Sequence, residues 1–193
     1  MTPSRFDDEI WELVPEDPGP PPRRLVDFVR ALPEAGRALD LGCGDGRLGR
    51  ELRARELTAA DVSPLALARA RERLPGARLV ELEPDAPLPF EDSSFDFALC
   101  AETLEHVRDV QALVSELRRV LAPGGTLAAT APAHGRLTGL RILMGGFEPP
   151  FDPLSPHLRF FTRRSLRALL DGGGFRVVSL ERRAGTLLAL AKR

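Results

Sequence analysis

Three acidic positions around a glycine run are the residues best suited to chemistry. Leu39-Asp40-Leu41-Gly42-Cys43-Gly44-Asp45-Gly46 stands where a short apolar stretch gives way to a helical pattern. Glycine at such a turn allows a positive φ and lets the backbone approach a ligand without a Cβ clash. Asp61 follows 19 residues after Gly42, at the end of a second apolar stretch. A carboxylate there can accept hydrogen bonds from both hydroxyls of a ribose. The alternative for Asp61 is the N-cap of the helix that begins at Pro64, a role for which Ser63 is better placed. The spacing separates two ligand classes. A dinucleotide site uses G-x-G-x-x-G and seats a pyrophosphate on a helix N-terminus. Here the run is G-x-G-x-G, and Asp45 lies inside it. Carboxylates at Asp40 and Asp45 repel a pyrophosphate and suit a cation with an amino group or a sulfonium.

A second set lies further on. Glu102, Glu105 and His106 form E-x-x-E-H. On a helix these positions share a face. Two carboxylates and an imidazole can bind a divalent metal, with His134 or His157 as a fourth ligand. The commoner use of such a set is that Glu102 contacts the ligand region while Glu105 and His106 cap or orient the helix, so no metal is expected. Glu102, Glu105, His106, His134 and His157 are the candidate general bases.

These positions need a scaffold, and the chain supplies its order. Arg23–Leu32 has apolar residues at helical spacing, Ala38–Leu41 reads as a buried strand, and Leu48–Arg55 resumes a helical pattern. Strands follow at 57–61, 78–82, 95–101 and 126–131, with helices at 63–74 and 110–121 between them. Thr162 N-caps a helix to about Leu170, and the chain closes with strands at 175–181 and 186–191. Alternating strand and helix predicts a parallel sheet covered on both faces. The short link at 182–185 makes the last two strands antiparallel. The expected fold is therefore α/β, doubly wound and Rossmann-like: a mostly parallel seven-stranded sheet ending in an antiparallel hairpin. Residues 1–22 read as an N-terminal segment with the proline-rich linker PEDPGPPP, and 23–193 as one domain. Residues 133–161 show no clean period but hold Leu140, Ile142, Phe147 and Phe151. Loops this long are usually functional, and this one is the expected lid over a substrate.

Composition narrows the class. The chain has 193 residues, 43% hydrophobic and 28% charged, as in an ordinary globular protein. No apolar run reaches the ~18 residues of a membrane span. The acidic opening MTPSRFDDEIWEL has no apolar core of a secretory signal, so a cytoplasmic protein is expected. Cys43 and Cys100 match no zinc spacing and build no disulfide framework. Residues 157–193 carry eight Arg and one Lys against two acids. Such a stretch can mark an anionic partner, but a solvated basic face is the commoner cause.

Taken together, LDLGCGDG, Asp61, Asp85 with Leu88-Pro89-Phe90, Ser94-Phe95-Asp96, the segment Ala101–Val107 and Leu117–Gly125 resemble the class I S-adenosylmethionine-dependent methyltransferases. The likeness is to the branch whose members resemble ubiquinone and menaquinone biosynthesis methyltransferases, and it covers residues 36–131. The resemblance implies S-adenosylmethionine as cofactor and S-adenosylhomocysteine as product. It places Gly42, Cys43 and Gly44 against the methionine part and Asp40 towards its amino group, directly or through water. Asp61 would hold the ribose, with Val62 and Ser63 beside it. Asp85 would accept the adenine amino group, and Ala86 would donate a backbone N–H to the ring. Ala101 and Glu102 would line the floor near the methyl, with Glu102 and His106 as the catalytic pair. The loop after Asp85 is shorter than in many relatives. A small-molecule acceptor is expected, methylated on O, N or C, with no nucleic acid partner, in a monomer or homodimer. The competing functions are an RNA or protein methyltransferase, a non-catalytic S-adenosylmethionine-binding module and an NAD-type dehydrogenase.

Overall fold

A computed structural model describes residues 3–135, 138–139, 143–144 and 157–193. Seven strands form one sheet in the order β3-β2-β1-β4-β5-β7-β6. They are β1 (Ala35–Leu41), β2 (Ala54–Asp61), β3 (Arg78–Glu81), β4 (Phe95–Ala101), β5 (Leu121–Pro132), β6 (Arg176–Arg183) and β7 (Thr186–Lys192). The first five run parallel, and β7 slots antiparallel between β5 and β6. The strand order reverses between β1 and β4, and in such sheets ligands bind beyond the carboxyl ends at that point.

Strand alternation sorts the core. Ala38, Phe97 and Leu99 face one side, where Val29 and Leu32 meet Leu52. Leu39, Leu41, Ala98 and Cys100 face the other, against α4 (Val110–Val120) and α5 (Arg163–Gly172). That second side holds the larger cluster, with Val114, Leu117, Leu166 and Leu170 all fully buried. Val29 belongs to α2 (Arg23–Arg30) and Leu67 and Ala70 to α3 (Pro64–Arg73). The expected caps are present: Ser63 Oγ accepts from Ala66 N at 3.1 Å, and Thr162 forms a capping box with Ser165.

Two expectations need correcting. No helix spans 48–55; the chain makes a three-residue 3₁₀ turn at Gly49–Glu51 and enters β2 at Ala54. Gly49 weakens any helix there, and a Cβ on it would lie 2.3 Å from Asp40 Oδ2. The fifth strand begins at Leu121, five residues early, because Pro123-Gly124-Gly125 forms an irregularity within it rather than a stop. The N-terminal segment, to which the sequence reading gave no element, contains a helix, α1 (Pro3–Leu13), that lies against α3. Among the described residues no helix is long and apolar enough to cross a membrane.

The β6–β7 connection turns on Ala184 and Gly185, with φ of 43° and 84°. Two successive positive φ values match the type I′ hairpin turn, which favours Asn before Gly. Left-handed backbone costs a Cβ-bearing residue about 1–2 kcal/mol. Ala184→Asn is expected to raise the unfolding free energy by about 0.5–1 kcal/mol in urea titration; a decrease would contradict this reading of the turn.

Candidate functional site

The carboxyl ends of β1, β2 and β4 open onto a cavity of about 720 Å³. That is within the usual range for small-molecule pockets. One wall is the turn after β1. Gly42 and Gly44 line the cavity, with φ of 69° and 53°. Side chains pack where their Cβ atoms would be: Thr103 lies 2.4 Å from that position at Gly42, and Trp11 lies 2.8 Å from it at Gly44. Glycine is required at both places for conformation and for space.

Asp61 ends β2, lines the cavity and is 8% exposed. Its Oδ2 accepts from Gly44 N at 2.8 Å and its Oδ1 from Ser63 N at 3.0 Å. The carboxylate thus fastens the glycine turn to the start of α3. Burial raises its pKa, against the backbone N–H groups of Ser63, Gly44 and Val62.

Not every expected residue reaches the cavity. Asp40 does not line it. Residues alternate along β1, so Asp40 points to the same side as Ala38, towards Gly49. It is 2% exposed, and its Oδ2 has no hydrogen-bond partner. Burial, aided by the charge of Asp61, pushes its carboxyl up to about 7. Asp45 is also turned away, with its carboxylate 2.8 Å from Arg47 and 3.6 Å from Arg73. It therefore offers little bare charge to a ligand. The case against a pyrophosphate moves instead to the absent helix: a 3₁₀ turn supplies no dipole end after the glycines. Cys43 packs with Ala59, Leu67, Ala70 and Leu74. Ser63 is fully buried; besides capping α3 it donates to Asp8 Oδ1 at 2.5 Å. Ala101 packs towards Leu99 and Phe97. None of these three lines the cavity.

At the far end from Gly44, Asp85 and Ala86 line the cavity with Glu83, Leu88 and Leu113. Asp85 has φ 61°, and its Oδ2 lies 3.3 Å from Arg108. The Ala86 N–H already donates to Glu83 O at 3.3 Å. The expectation that it bonds a ring therefore requires that long bond to be exchanged.

Glu102 follows β4 with φ 52° and lines the cavity. Its backbone N–H donates to Thr130 O at 3.1 Å, and its Oε1 accepts from Thr130 Oγ1 at 2.8 Å. Burial raises its carboxyl pKa, while Thr130, Arg24 and His157 oppose the shift. His106 lines the same region, its ring centroid 4.9 Å from that of His157. Glu105 is 1% exposed beneath them. His134 meets the ring of Phe160 at 4.7 Å. All five candidate bases thus fall on the β4–β5 end of the sheet.

Of the expected lid at 133–161, the described parts are its ends. Ala133 bridges Phe161, His134 N donates to Phe161 O at 2.8 Å, and Leu158 lines the cavity. Leu140, Ile142, Phe147 and Phe151 lie outside the described residues. Sequence reasoning passed over Ile10 and Val14, which line the cavity beside Trp11. Their signal was the apolar spacing Phe6, Ile10, Trp11, Val14 inside an otherwise acidic segment. Among the described residues, the acids Asp61, Glu83, Asp85, Glu102, Asp109 and Glu116 line the space, and Arg108 is the one arginine that does. Asp85 pairs with Arg108 and Glu116 with Arg119, so part of this charge is met within the protein; the remainder favours a cationic ligand.

A family model described as a methyltransferase domain matches residues 39–129. A malonyl-[acyl-carrier protein] O-methyltransferase of Enterobacter lignolyticus is 34% identical over 156 residues, which are 78% of this chain and 60% of that one. A demethylmenaquinone methyltransferase of Thermus thermophilus is 42% identical over 113 residues, 54% of this chain and 50% of that one. The chain spans about half the length of the curated relatives it matches. Among solved structures, an S-adenosylmethionine-dependent methyltransferase of Methanosarcina mazei superposes with a TM-score of 0.66 at 25% identity. The match covers 91% of this chain and 99% of that one.

Asp40 gives a pH test of this geometry. Its folded pKa of about 7 exceeds the unfolded value of about 3.9. Between those values the folded chain holds a proton that the unfolded chain has released, so this group makes stability fall as pH rises. In the chain without ligand, Asp40→Asn should therefore gain Tm relative to the parent on going from pH 5 to pH 8.5. A pH-independent difference would mean that Asp40 ionises as an exposed carboxylate does.

Proposed function

This chain belongs to the class I S-adenosylmethionine-dependent methyltransferases, and we propose that it transfers the methyl of S-adenosylmethionine to an O, N or C atom of a small-molecule acceptor. The observation that carries the proposal is the cavity with Asp61 and two glycines at one wall and Glu102 and His106 at another. Bound S-adenosylmethionine supplies an electrophilic methyl on a sulfonium whose leaving group is neutral, so no oxyanion hole is needed. The protein's work is then binding, alignment and proton removal.

Each role falls to a residue on the cavity wall. Asp61 has one N–H on each oxygen and free lone pairs to accept from ribose hydroxyls. Gly42 and Gly44 admit the methionine part close to the backbone, and Trp11 covers it from α1. Asp85 receives the adenine end, in exchange for its pairing with Arg108. Glu102 is the preferred general base, because burial raises its proton affinity and Thr130 fixes its direction. His106 is the alternative on the same wall. Asp40 acts from behind the turn, through its effect on the loop or through water.

The relatives' names point to different acceptors, one on an acyl-carrier protein and one a menaquinone precursor. The acceptor is accordingly left as a small molecule with an apolar part, to match Ile10, Trp11, Val14 and Leu158 on the wall. Cys43 and Cys100 are buried free thiols, which suits the reducing cytoplasm, and the enzyme is proposed to work there as a monomer or homodimer.

S-adenosylmethionine and S-adenosylhomocysteine should each stabilise the chain by about 2.7 kcal/mol at 100-fold excess over Kd, and NAD should not. A shift with NAD alone would reject the assignment. Trp11 is the only tryptophan, so its fluorescence should titrate with S-adenosylhomocysteine. Asp61→Ala, and the better space-matched Asp61→Asn, should weaken that titration at least tenfold; unchanged affinity would remove Asp61 from the site. Binding without turnover across a screen of acceptors with labelled donor would favour a non-catalytic module.

A further inference from the structure

One cation beside Glu102 has no part in the roles above. Arg24 stands in the first turn of α2. Its Nε donates to Thr186 Oγ1 at 2.7 Å, while Arg30 at the other end of α2 reaches Glu51, just before β2 begins. The helix therefore runs against the parallel strands and brings Arg24 to their carboxyl ends. Thr186 is 1% exposed and opposes Pro132 in the β5–β7 pairing, where Thr130 opposes Leu188. Thr130 and Thr186 are thus diagonal neighbours, about 7–8 Å apart on one face of the sheet. It is the face that α2 covers, since Ala128, which shares the parity of Thr130, packs with Val29. One threonine holds Glu102 and the other holds Arg24.

The two charges do not meet directly. Among the described residues Arg24 makes no ion pair, and its terminal nitrogens have no hydrogen-bond partner. Its charge nevertheless acts on Glu102, where it opposes the effect of burial. A guanidinium carries several N–H donors, and Thr186 takes the one on Nε. That bond steadies the plane of the group and leaves its terminal donors, which match a carboxylate in geometry.

We propose that Arg24 binds a carboxylate of the methyl acceptor and so selects acidic acceptors, with the atom to be methylated beside Glu102. Arg24 does not line the cavity, so the acceptor extends past Glu102 towards α2. A carboxylate carries a single charge, which one guanidinium balances. A phosphate carries close to two, and Glu102 would repel the excess. The carboxylate is the handle and not the nucleophile, because an ionised oxygen needs no base. The reacting atom is an O or N bearing hydrogen on the same acceptor. Its proton passes to Glu102, its lone pair forms the bond to the methyl carbon, and the carbon–sulfur pair stays on sulfur. This inference rests on the methyl-transfer reading and narrows its acceptor to a carboxylic acid with a further O–H or N–H.

The test is calorimetric titration of the full chain, with and without saturating S-adenosylhomocysteine. The probes are salicylate, 3-hydroxybenzoate and 3-hydroxyoctanoate, each beside its primary amide. At least one acid should bind ten or more times as tightly as its amide. Arg24→Gln should bring that ratio close to one, and Arg24→Lys should keep part of it. Arg167→Gln, on α5 across the sheet, should leave it unchanged. A purely structural tie between α2 and β7 would lower Tm in Arg24→Gln and Thr186→Val without moving the ratio. Thr186→Val, which frees the guanidinium, should instead lower the ratio severalfold while S-adenosylhomocysteine affinity stays within twofold. No preference for any acid, or a preference that survives Arg24→Gln, would overturn the proposal. If Arg24→Gln does not fold, a ratio unchanged in Thr186→Val overturns it instead. A chain that binds S-adenosylhomocysteine without preferring an acid refutes the role of Arg24 alone. A preference lost in Arg24→Gln, in a chain that does not bind S-adenosylhomocysteine, refutes the methyl-transfer reading alone.

Discussion

The site depends on a single buried carboxylate with two backbone partners. Asp61 accepts from Gly44 N and Ser63 N, one on each oxygen. Those bonds join the turn after β1 to the first residues after β2, which the parallel pairing already brings level, with Leu41 opposite Ala60. Hydrogen bonds to a charged acceptor are stronger than neutral ones, and here they resist the cost of burying the acid. A chain lacking this tie would leave Gly44, with its left-handed φ, held mainly by the contact with Trp11. Asp61 also lines the cavity, so the group that ties the turn is the same one proposed to meet a ribose.

Around this tie the protein concentrates negative charge. Asp40 sits behind the turn and Asp61 within it, and burial drives both towards protonation. Glu102 and Glu105 repeat the pattern at the end of β4, where Glu105 is pushed up to about 8 by burial and by Glu102. Acids held at raised proton affinity are costly for stability and characteristic of functional sites. Of these four acids, Asp61 and Glu102 line the cavity, while Asp40 and Glu105 lie behind its wall.

The N-terminal helix closes one side of the cavity. Asp8 reaches Ser63 Oγ, Arg69 stacks 5.8 Å over Trp11, and Arg69 and Arg73 hold the carbonyls of Val14 and Glu16. Every one of these contacts lands on α3 or its cap. The wall carrying Trp11 therefore takes its position from the helix that Ser63 caps, and Ser63 N is in turn held by Asp61, so two sides of the cavity are set by one local structure.

Much of this was legible in the sequence because it is local. Glycine spacing, Ser63-Pro64, Thr162 and strand–helix alternation gave the parallel sheet, its closing hairpin and the acid after β2, since each follows from backbone preference within a few residues. The helix expected at 48–55 failed because Gly49, and its packing on Asp40, outweighed the apolar spacing. Which way Asp40 points was set by its strand parity, and parity has meaning only once the two faces of the sheet have been assigned. His157 could be named from the sequence but not placed. Its position beside His106 is set by the docking of Leu158 and Arg159 on Glu105, a contact between segments more than 50 residues apart. Sequence spacing fixes what neighbours along the chain can do; which distant side chains share a site is decided by how the sheet brings its strand ends together.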